Sequence, residues 1–327
     1  MPVRAAVWDL GSSSFHLVVC EVTGDQALVP VVHRRASLNL GLSVGQRGAI
    51  PRERAAAAVA AVKRLRGGLN GGRVDLVVAL GTAALRDAAN GPEVVERLAR
   101  VVGSPVRVLD GEEEARLCFI GQRAGVWIGD SLALGIDLGG GSLEAAIGDT
   151  RRVLVATSAP VGPARLRGEL GTGDVLSDAD RAALAARTVD ELAPIKEVVD
   201  RFAGVAARTV VSGGTVRALA RLGTGRARRR RSDGPGEVNQ VELPAGQVTE
   251  LAEQLAHLDL KGRLALPGMQ ARRAPLLPVG ASVLATVATE LRVDRFVVSE
   301  WGLREGALLD ALARFPGAAT AGSRARR

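Results

Sequence analysis

The sequence predicts a duplicated α/β fold, because two short motifs recur in the same order along the chain. An Asp-Leu-Gly loop at Asp9–Gly11 returns at Asp137–Gly139, 128 residues later, and each copy lies between two apolar runs. A second motif, an apolar strand that runs into Gly-Thr, occurs at Gly81-Thr82 and again at Gly214-Thr215, 133 residues later. Two repeats at nearly the same offset predict two similar α/β domains.

The first domain is predicted to span residues 1–127. The apolar runs on either side of the first loop indicate a β-hairpin region over 4–35. Pro51 and the Ala-rich stretch that follows it favour a helix over 52–66. The other predicted elements of this domain are a strand over 74–80, helices over 83–90 and 92–102, a strand over 105–109 and a helix over 111–124.

The second domain is predicted to span residues 128–315 and to repeat this plan. Ser177 is the expected N-cap of a long helix over about 178–202. The other predicted elements are strands over 132–137, 143–148, 153–157, 208–212 and 295–299, and helices over 215–222, 246–257, 280–291 and 303–313. The Ala-, Gly- and Arg-containing tail over 316–327 is predicted to be disordered.

The composition is that of a soluble globular protein, with 47% hydrophobic and 24% charged residues. No stretch approaches the roughly 18 apolar residues of a membrane helix, so no membrane association is expected. Met1–Ala5 lacks the features of a signal peptide. Cys20 and Cys118 show no framework spacing, which indicates two buried thiols in a reducing cytoplasm.

The formal net charge of +8 favours a polyanionic partner, which composition alone leaves open as nucleic acid, an anionic membrane or polyphosphate. The chain has no Tyr and only five Phe, which argues against nucleic acid as a partner because stacking on single strands uses aromatic side chains. The basic run Arg226–Arg231 is interpreted as a solvated, flexible loop, with capture of a long polyanion as the alternative.

The two Asp-Leu-Gly loops predict a phosphate site in a cleft between the domains. Asp9 and Asp137 are expected to face each other and to orient Mg²⁺ or its water shell, since Mg²⁺ keeps several waters and takes few carboxylates. Glycines let backbone N–H groups approach phosphate oxygens, and serines add hydroxyl donors. The predicted phosphate-binding residues of the loops are Ser12, Ser13, Ser14, Gly139, Gly140, Gly141 and Ser142.

Further charged residues are candidates for the same cleft. The first turn of a helix attracts carboxylates, and because successive residues point about 100° apart, Glu114 of the Glu112–Glu114 cluster is the candidate cleft carboxylate. Glu144 returns to the site or is a solvated strand residue, and Arg86 binds phosphate or forms a surface ion pair. His16 is interpreted as a packing histidine near the cleft.

These motifs together resemble the exopolyphosphatase/guanosine pentaphosphate phosphohydrolase (Ppx/GppA) family of the actin, sugar kinase and Hsp70 superfamily. The resemblance covers residues 6 to about 309, nearly the whole chain, in its short two-domain actinobacterial form. The matching stretches are AVWDLGSSSFHLVV, ALGTAALRDAANG, LDGEEEARLCFIG, GIDLGGGSLEAAIG, VVSGGTVRALARL and WGLREGALL.

The resemblance implies a ribonuclease H-like (actin-like) fold and a role for each matched residue. Glu114 matches the glutamate that orients or deprotonates the attacking water, and Asp137 and Glu144 match carboxylates that serve metal and water. Asp9 matches the aspartate of the first loop and Arg86 the phosphate-binding arginine. The second Gly-Thr motif contributes substrate contacts through Gly213, Gly214 and Thr215. Ser13 stands where the family usually has Asn, which puts one substrate contact in doubt.

The expected activity is Mg²⁺-dependent release of terminal orthophosphate from inorganic polyphosphate by direct attack of water. Mn²⁺ is the alternative metal, no organic cofactor is expected, and a homodimer is predicted. Three alternatives stay open at this point: guanosine pentaphosphate (pppGpp) 5′-phosphohydrolase, a kinase of the same fold, and a sensor of polyphosphate or nucleotide without turnover.

Overall fold

The computed structural model of the protein describes residues 3–23, 27–69, 72–225 and 237–315, which form two mixed β-sheets covered by helices. The run Arg226–Arg231 and the predicted tail over 316–327 lie outside the described residues. Within the described ranges, no helix has the length and the apolar composition that a membrane span requires.

The first sheet has its parallel and antiparallel strands arranged around a central strand. Its strands and helices are β1 (Val3–Leu10), β2 (Ser14–Val22), β3 (Leu28–Ser37), α1 (Leu40–Arg47), α2 (Arg52–Arg66), β4 (Leu76–Gly81), α3 (Ala83–Asp87), α4 (Gly91–Val102), β5 (Arg107–Val108) and α5 (Gly111–Gly125). The strand order is β3-β2-β1-β4-β5, in which β1 is antiparallel to β2 and parallel to β4.

The second sheet repeats this order and adds one short strand at its edge. Its elements are β6 (Leu132–Leu138), β7 (Leu143–Gly148), β8 (Val153–Ala159), α6 (Pro163–Leu170), α7 (Asp178–Arg201), β9 (Ala206–Ser212), α8 (Gly214–Gly223), β10 (Glu242–Pro244), α9 (Ala245–His257), α10 (Leu260–Ala265), α11 (Leu277–Glu290), β11 (Arg295–Val298) and α12 (Leu303–Ala313). The order β8-β7-β6-β9-β11-β10 matches that of the first sheet up to β10. The predicted duplicated, ribonuclease H-like fold is therefore confirmed.

Burial on both faces of the central strands holds each sheet in place. In β1, alternate residues such as Trp8 and Leu10 pack under α2 and α4, while Ala5 and Val7 on the other face pack against α12. Strands that are covered on both sides are near-continuous apolar runs. This explains the apolar runs on either side of the first Asp-Leu-Gly loop.

Helices α5 and α12 each pack on the sheet that is formed by the other half of the chain. Phe119 of α5 packs against Ala133 and Ala146 of the second sheet, whereas Leu308 of α12 lies against the first sheet. A cut between residues 127 and 128 therefore separates the strands of the two sheets but assigns both helices to the sheet that they do not cover. The predicted division of the chain into 1–127 and 128–315 stays a prediction.

The helices that the sequence analysis did not predict are α1, α6 and α10. All three contain glycine, which disfavours an isolated helix by about 1 kcal/mol per residue, and in α1 and α6 it lies at a close contact between the two helices. The structure shows why glycine is present: a Cβ at Gly45 of α1 would overlap the carbonyl oxygen of Arg165, and one at Gly168 of α6 would overlap that of Leu42. Close packing between the two helices, and not local propensity, stabilises them.

The crossing of α5 and α12 generates a first testable prediction. A Cβ at Gly306 would overlap the carbonyl oxygen of Leu117, so Gly306→Ala should lower the free energy of unfolding by about 2–3 kcal/mol, as overpacking typically does. Gly246→Ala in α9 is the matched control because its Cβ would meet no atom of the described residues within 4 Å beyond its own helix backbone and its chain neighbours. Thermal or urea unfolding of both variants tests this, and equal stability of the two would contradict the assignment of a close helix crossing.

Candidate active site

The two Asp-Leu-Gly loops form the tight turns of the β1–β2 and β6–β7 hairpins and meet face to face. The amide of Gly11 donates to Ser14 O (3.2 Å), and that of Gly139 donates to Ser142 O (3.0 Å). A Cβ at Gly140 would overlap the hydroxyl oxygen of Ser13. The loops therefore come close enough to line one cleft only because this position is glycine.

Predicted site residues from both halves line this cleft, as the duplication implied. They are Asp9, Ser12, Ser13, Ser14, Glu114, Asp137, Gly139, Gly140, Gly141, Ser142, Gly213, Gly214 and Thr215. A Cβ at Gly214 would overlap the guanidinium group of Arg273, so the Arg273 side chain would have to move. Arg86 and Glu144, the two remaining predicted residues, adjoin the cleft without lining it.

The carboxyl groups of Asp9 and Asp137 lie on the floor of the cleft, where β1 and β6 end. Burial raises the pKa of Asp9 to about 6; the positive charge of Arg304 opposes this shift and the negative charge of Asp137 adds to it. Burial also raises the pKa of Asp137, against a hydrogen bond that its Oδ1 accepts from the hydroxyl of Ser212. The two aspartates are thus close enough to repel each other.

Glu114 points into the cleft from the first turn of α5, whose N-cap is Asp110. The three glutamates of this turn point in different directions and have different surroundings. Glu112 is exposed, Glu113 pairs with Arg107, and Glu114 is only 6% exposed. Burial raises the pKa of Glu114 to about 8, against an opposing effect of Arg86. A carboxylate with such a pKa is a stronger base than an ordinary glutamate.

Arg86 lies directly against Glu114. Its Nη1 donates to Glu114 Oε2 (3.0 Å) and to the carbonyl oxygen of Leu109 (3.0 Å), and its Nε donates to Asp87 Oδ1 (3.1 Å). Arg86 therefore forms ion pairs with two acidic partners, of which Glu114 is buried and does not lie at the surface. The phosphate-binding role that the resemblance implies stays a prediction.

Glu144 lies behind the floor of the cleft. It is directly opposite Asp137 in the β6–β7 ladder and is 1% exposed, so it is not the solvated strand residue of the alternative interpretation. Ser158 Oγ donates to its Oε1 (3.3 Å), while no hydrogen-bond partner for Oε2 is found among the described residues. Its predicted roles in catalysis and metal binding stay predictions.

His16 is the first-half counterpart of Glu144. The β1–β2 ladder pairs Asp9 with His16 as the β6–β7 ladder pairs Asp137 with Glu144. His16 is buried at the cleft, and burial holds its pKa well below the usual value. Its Nδ1 accepts from Arg304 Nη1 (2.9 Å), so its Nε2 is the protonated nitrogen and donates to Ser14 Oγ (2.9 Å).

Arginines that the sequence analysis did not single out line the same cleft. They are Arg35, Arg217, Arg272, Arg273 and Arg304. Burial lowers the pKa of Arg273 to about 9, and the positive charges of neighbouring arginines, Arg217 first, lower it further. Such mutual repulsion is relieved by a bound polyanion. Two of these arginines lie in stretches that carry the resemblance, Arg217 in VVSGGTVRALARL and Arg304 in WGLREGALL.

Asp9 and Asp137 fit a divalent cation that retains much of its water shell. Among the residues that the structure describes, no group of three or more His, Cys, Asp or Glu side chains is placed to hold a metal ion. Mg²⁺ is commonly bound through one or two carboxylates, and the mutual repulsion of Asp9 and Asp137 is the electrostatic situation that a cation relieves. The site thus provides oxygen ligands without a closed protein cage.

Comparison with known proteins gives consistent matches. The sequence model of the Ppx/GppA phosphatase family matches residues 18–315. Exopolyphosphatase 1 of Mycobacterium tuberculosis is 31% identical over 94% of this chain and 88% of its own length. A guanosine-5′-triphosphate,3′-diphosphate pyrophosphatase of Aeromonas salmonicida is 30% identical over 93% of this chain and 58% of its own length.

Solved structures give the same result. An exopolyphosphatase from Cytophaga hutchinsonii superposes with a TM-score of 0.84 and 27% identity, covering 95% of this chain and 98% of its own. A family member from Aquifex aeolicus superposes with a TM-score of 0.76, at 24% identity, over 96% and 99% of the two chains.

The raised pKa of Asp9 predicts how the protein without divalent cations responds to pH. The folded state holds the Asp9 proton more tightly than the unfolded state, so ionisation between about pH 4 and pH 6 should lower stability. Asp9→Asn removes this loss. The variant should exceed the wild type by about 2–3 kcal/mol above pH 6, and the difference should vanish below pH 4.

Thermal unfolding in EDTA at a series of pH values measures this effect. Asp130→Asn, which changes an exposed aspartate, is the control and should follow the wild type. A stability difference for Asp9→Asn that is the same at pH 3.5 and pH 7.5 would show that ionisation of Asp9 is not its cause.

Proposed function

This chain belongs to the Ppx/GppA phosphatase family, and we propose that it is an exopolyphosphatase. It releases terminal orthophosphate from inorganic polyphosphate by direct attack of water on the terminal phosphorus. The observation that carries this proposal is the cleft itself, in which the buried carboxylate of Glu114 and five arginines line one space with two glycine loops.

In this proposal Glu114 is the general base that accepts a proton from the attacking water. The carboxylate accepts this proton while the oxygen of the water forms a bond to the terminal phosphorus, and the bond to the bridging oxygen breaks. The shortened polyphosphate leaves with the electron pair of that bond. Phosphoryl transfer depends mainly on positioning and on neutralisation of charge, which the loop amides, the serine hydroxyls and the arginines supply from this chain.

Asp9 and Asp137 are the residues that would hold Mg²⁺. When bound, the cation neutralises phosphate charge and orients water. The chain's own contribution is to keep both carboxylates on the cleft floor beside Glu114, whose pKa both of them raise. Mg²⁺ dependence is part of the proposal, with Mn²⁺ as the alternative metal and no organic cofactor.

The side chains of the cleft favour polyphosphate over pppGpp. A guanine base is commonly bound by stacking on an aromatic ring. Among the described residues that line the cleft, no Phe or Trp is present, and the ring of His16 is held by Ser14 and Arg304. Arginines suit a chain of phosphates throughout its length. Hydrolysis of pppGpp is the second candidate because the Aeromonas salmonicida relative carries that activity in its name.

The homodimer and the cytoplasmic location expected from the sequence stay predictions. Light scattering coupled to size-exclusion chromatography of the purified chain measures the first, and fractionation of cells that express a tagged chain measures the second.

Substitution of Glu114 tests the proposed reaction. Glu114→Gln should lower the rate of orthophosphate release from long-chain polyphosphate at least about 100-fold, because a positioned general base contributes that much or more. Glu112→Gln is the matched control on the same helical turn, since Glu112 is exposed, and it should retain the wild-type rate.

The same assay with pppGpp, and with and without Mg²⁺, separates the alternatives. Faster release from polyphosphate supports the exopolyphosphatase, and faster release from pppGpp supports the second candidate. Release without any acceptor excludes a kinase. A wild-type protein that binds polyphosphate without turnover would be a sensor, and an unchanged rate for Glu114→Gln would refute the assigned base.

Loss of Arg86 should shift the pH dependence of the reaction. The arginine stabilises the charged form of Glu114, so Arg86→Gln should raise the pKa of Glu114. The acid limb of kcat should then move to higher pH by about one unit or more. The measurement is kcat against pH at saturating polyphosphate. If only KM rises and the limb stays in place, Arg86 acts on the substrate alone.

A further inference from the structure

A chain of buried polar groups leads from α5 to Asp137 at the edge of the cleft. It consists of Gln122 in α5 and Ser212 at the end of β9, each of which is 1% exposed. Neither residue has a role in the reaction described above. Gln122 Nε2 lies 2.8 Å from Ser212 Oγ, and the hydroxyl of Ser212 in turn contacts Asp137 Oδ1.

The partners of Gln122 fix the direction of these hydrogen bonds. Its amide nitrogen also lies 2.8 Å from the carbonyl oxygen of Ile136. A carbonyl oxygen only accepts, so the side-chain nitrogen and not the oxygen faces this group. Its two hydrogens are therefore used on Ile136 and Ser212. Because Ser212 Oγ accepts from Gln122, its own proton is left to donate to Asp137.

The first half of the molecule lacks this arrangement. The β1–β4 ladder places Leu80 beside Asp9, whereas the β6–β9 ladder places Ser212 beside Asp137. Among the described residues, no hydrogen bond to the carboxylate of Asp9 is found. Of the two equivalent aspartates, one is thus held by a hydroxyl of fixed direction, and the other is not.

A hydrogen bond to a carboxylate is stronger and more directional than one between neutral groups. Its direction matters here because small errors in the position of a catalytic group cost large factors in rate. Donation to Oδ1 restrains rotation of the Asp137 carboxylate, which lines the cleft. Because Gln122 donates to Ser212 Oγ, the hydroxyl proton of Ser212 stays directed at Asp137.

We infer that Gln122 is a positioning residue for the hydrolytic reaction, and that it acts through Ser212 to hold the Asp137 carboxylate in the orientation that receives a divalent cation. The inference rests on the proposed function for its effect on rate. Its effect on binding of the cation is independent of which phosphate compound is hydrolysed.

A double-mutant cycle tests this inference. Gln122→Met and Ser212→Ala should each lower kcat for polyphosphate about tenfold, and the double variant should be no slower than Ser212→Ala, because Gln122 acts only through the hydroxyl. Ser212→Thr keeps a hydroxyl and should retain most of the activity. Gln247→Met is the matched control, since Gln247 donates to the carbonyl oxygen of Gly223 far from the cleft.

Binding of Mn²⁺ without substrate, followed by electron paramagnetic resonance, gives a second readout. Gln122→Met and Ser212→Ala should weaken binding about tenfold, and Ser212→Thr and Gln247→Met should not. Gln122→Ala, which creates space and no new contact, replaces Gln122→Met if that variant does not fold.

Three results would overturn the inference: wild-type kcat and Mn²⁺ binding in a folded Gln122 variant, additive losses of kcat in the double variant, or unchanged Mn²⁺ binding in Ser212→Ala. A wild-type protein that does not hydrolyse polyphosphate would instead refute the proposed function, while the Mn²⁺ measurements would still decide the inference.

Discussion

The structure depends on burying carboxyl groups close together at the point where its central strands end. Asp9, Glu114, Asp137 and Glu144 all have a pKa above its usual value, with burial as the largest cause. Burial of like charges costs free energy unless partners or cations compensate. The first partner is Arg86 beside Glu114. A cation bound between Asp9 and Asp137, as proposed, would relieve part of this cost.

Glycine packing makes this arrangement sterically possible. The loops meet where Gly140 lies against Ser13, and α1 and α6 approach where Gly45 and Gly168 lie against backbone carbonyl groups. Each contact joins the first half of the chain to the second. Because any larger residue would hold the halves apart, the same glycines that lower helix propensity also bring the two sets of polar groups into one cleft.

The repeats were sufficient to predict the duplicated fold and the meeting of Asp9 with Asp137. Helical geometry predicted that the three consecutive glutamates point in different directions, and Glu114, the residue chosen from them, is the one that lines the cleft. The cleft arginines were not predictable in this way, because residues such as Arg35 and Arg273 lie on elements whose packing no local pattern specifies. Helices α1 and α6 were also missed, because close packing between them, and not their helix propensity, stabilises them.

The two halves of the site differ in the residues that lie next to the two aspartates, and the duplication alone does not predict this difference. Register pairs Asp137 with Glu144 and Asp9 with His16, so the position next to each aspartate holds an acid in one half and a neutral ring in the other. The ring can orient a hydroxyl and accept from Arg304, which suits substrate binding. The acid places a second buried carboxyl group beside Asp137. Two loops of similar sequence thus hold their aspartates beside different neighbours.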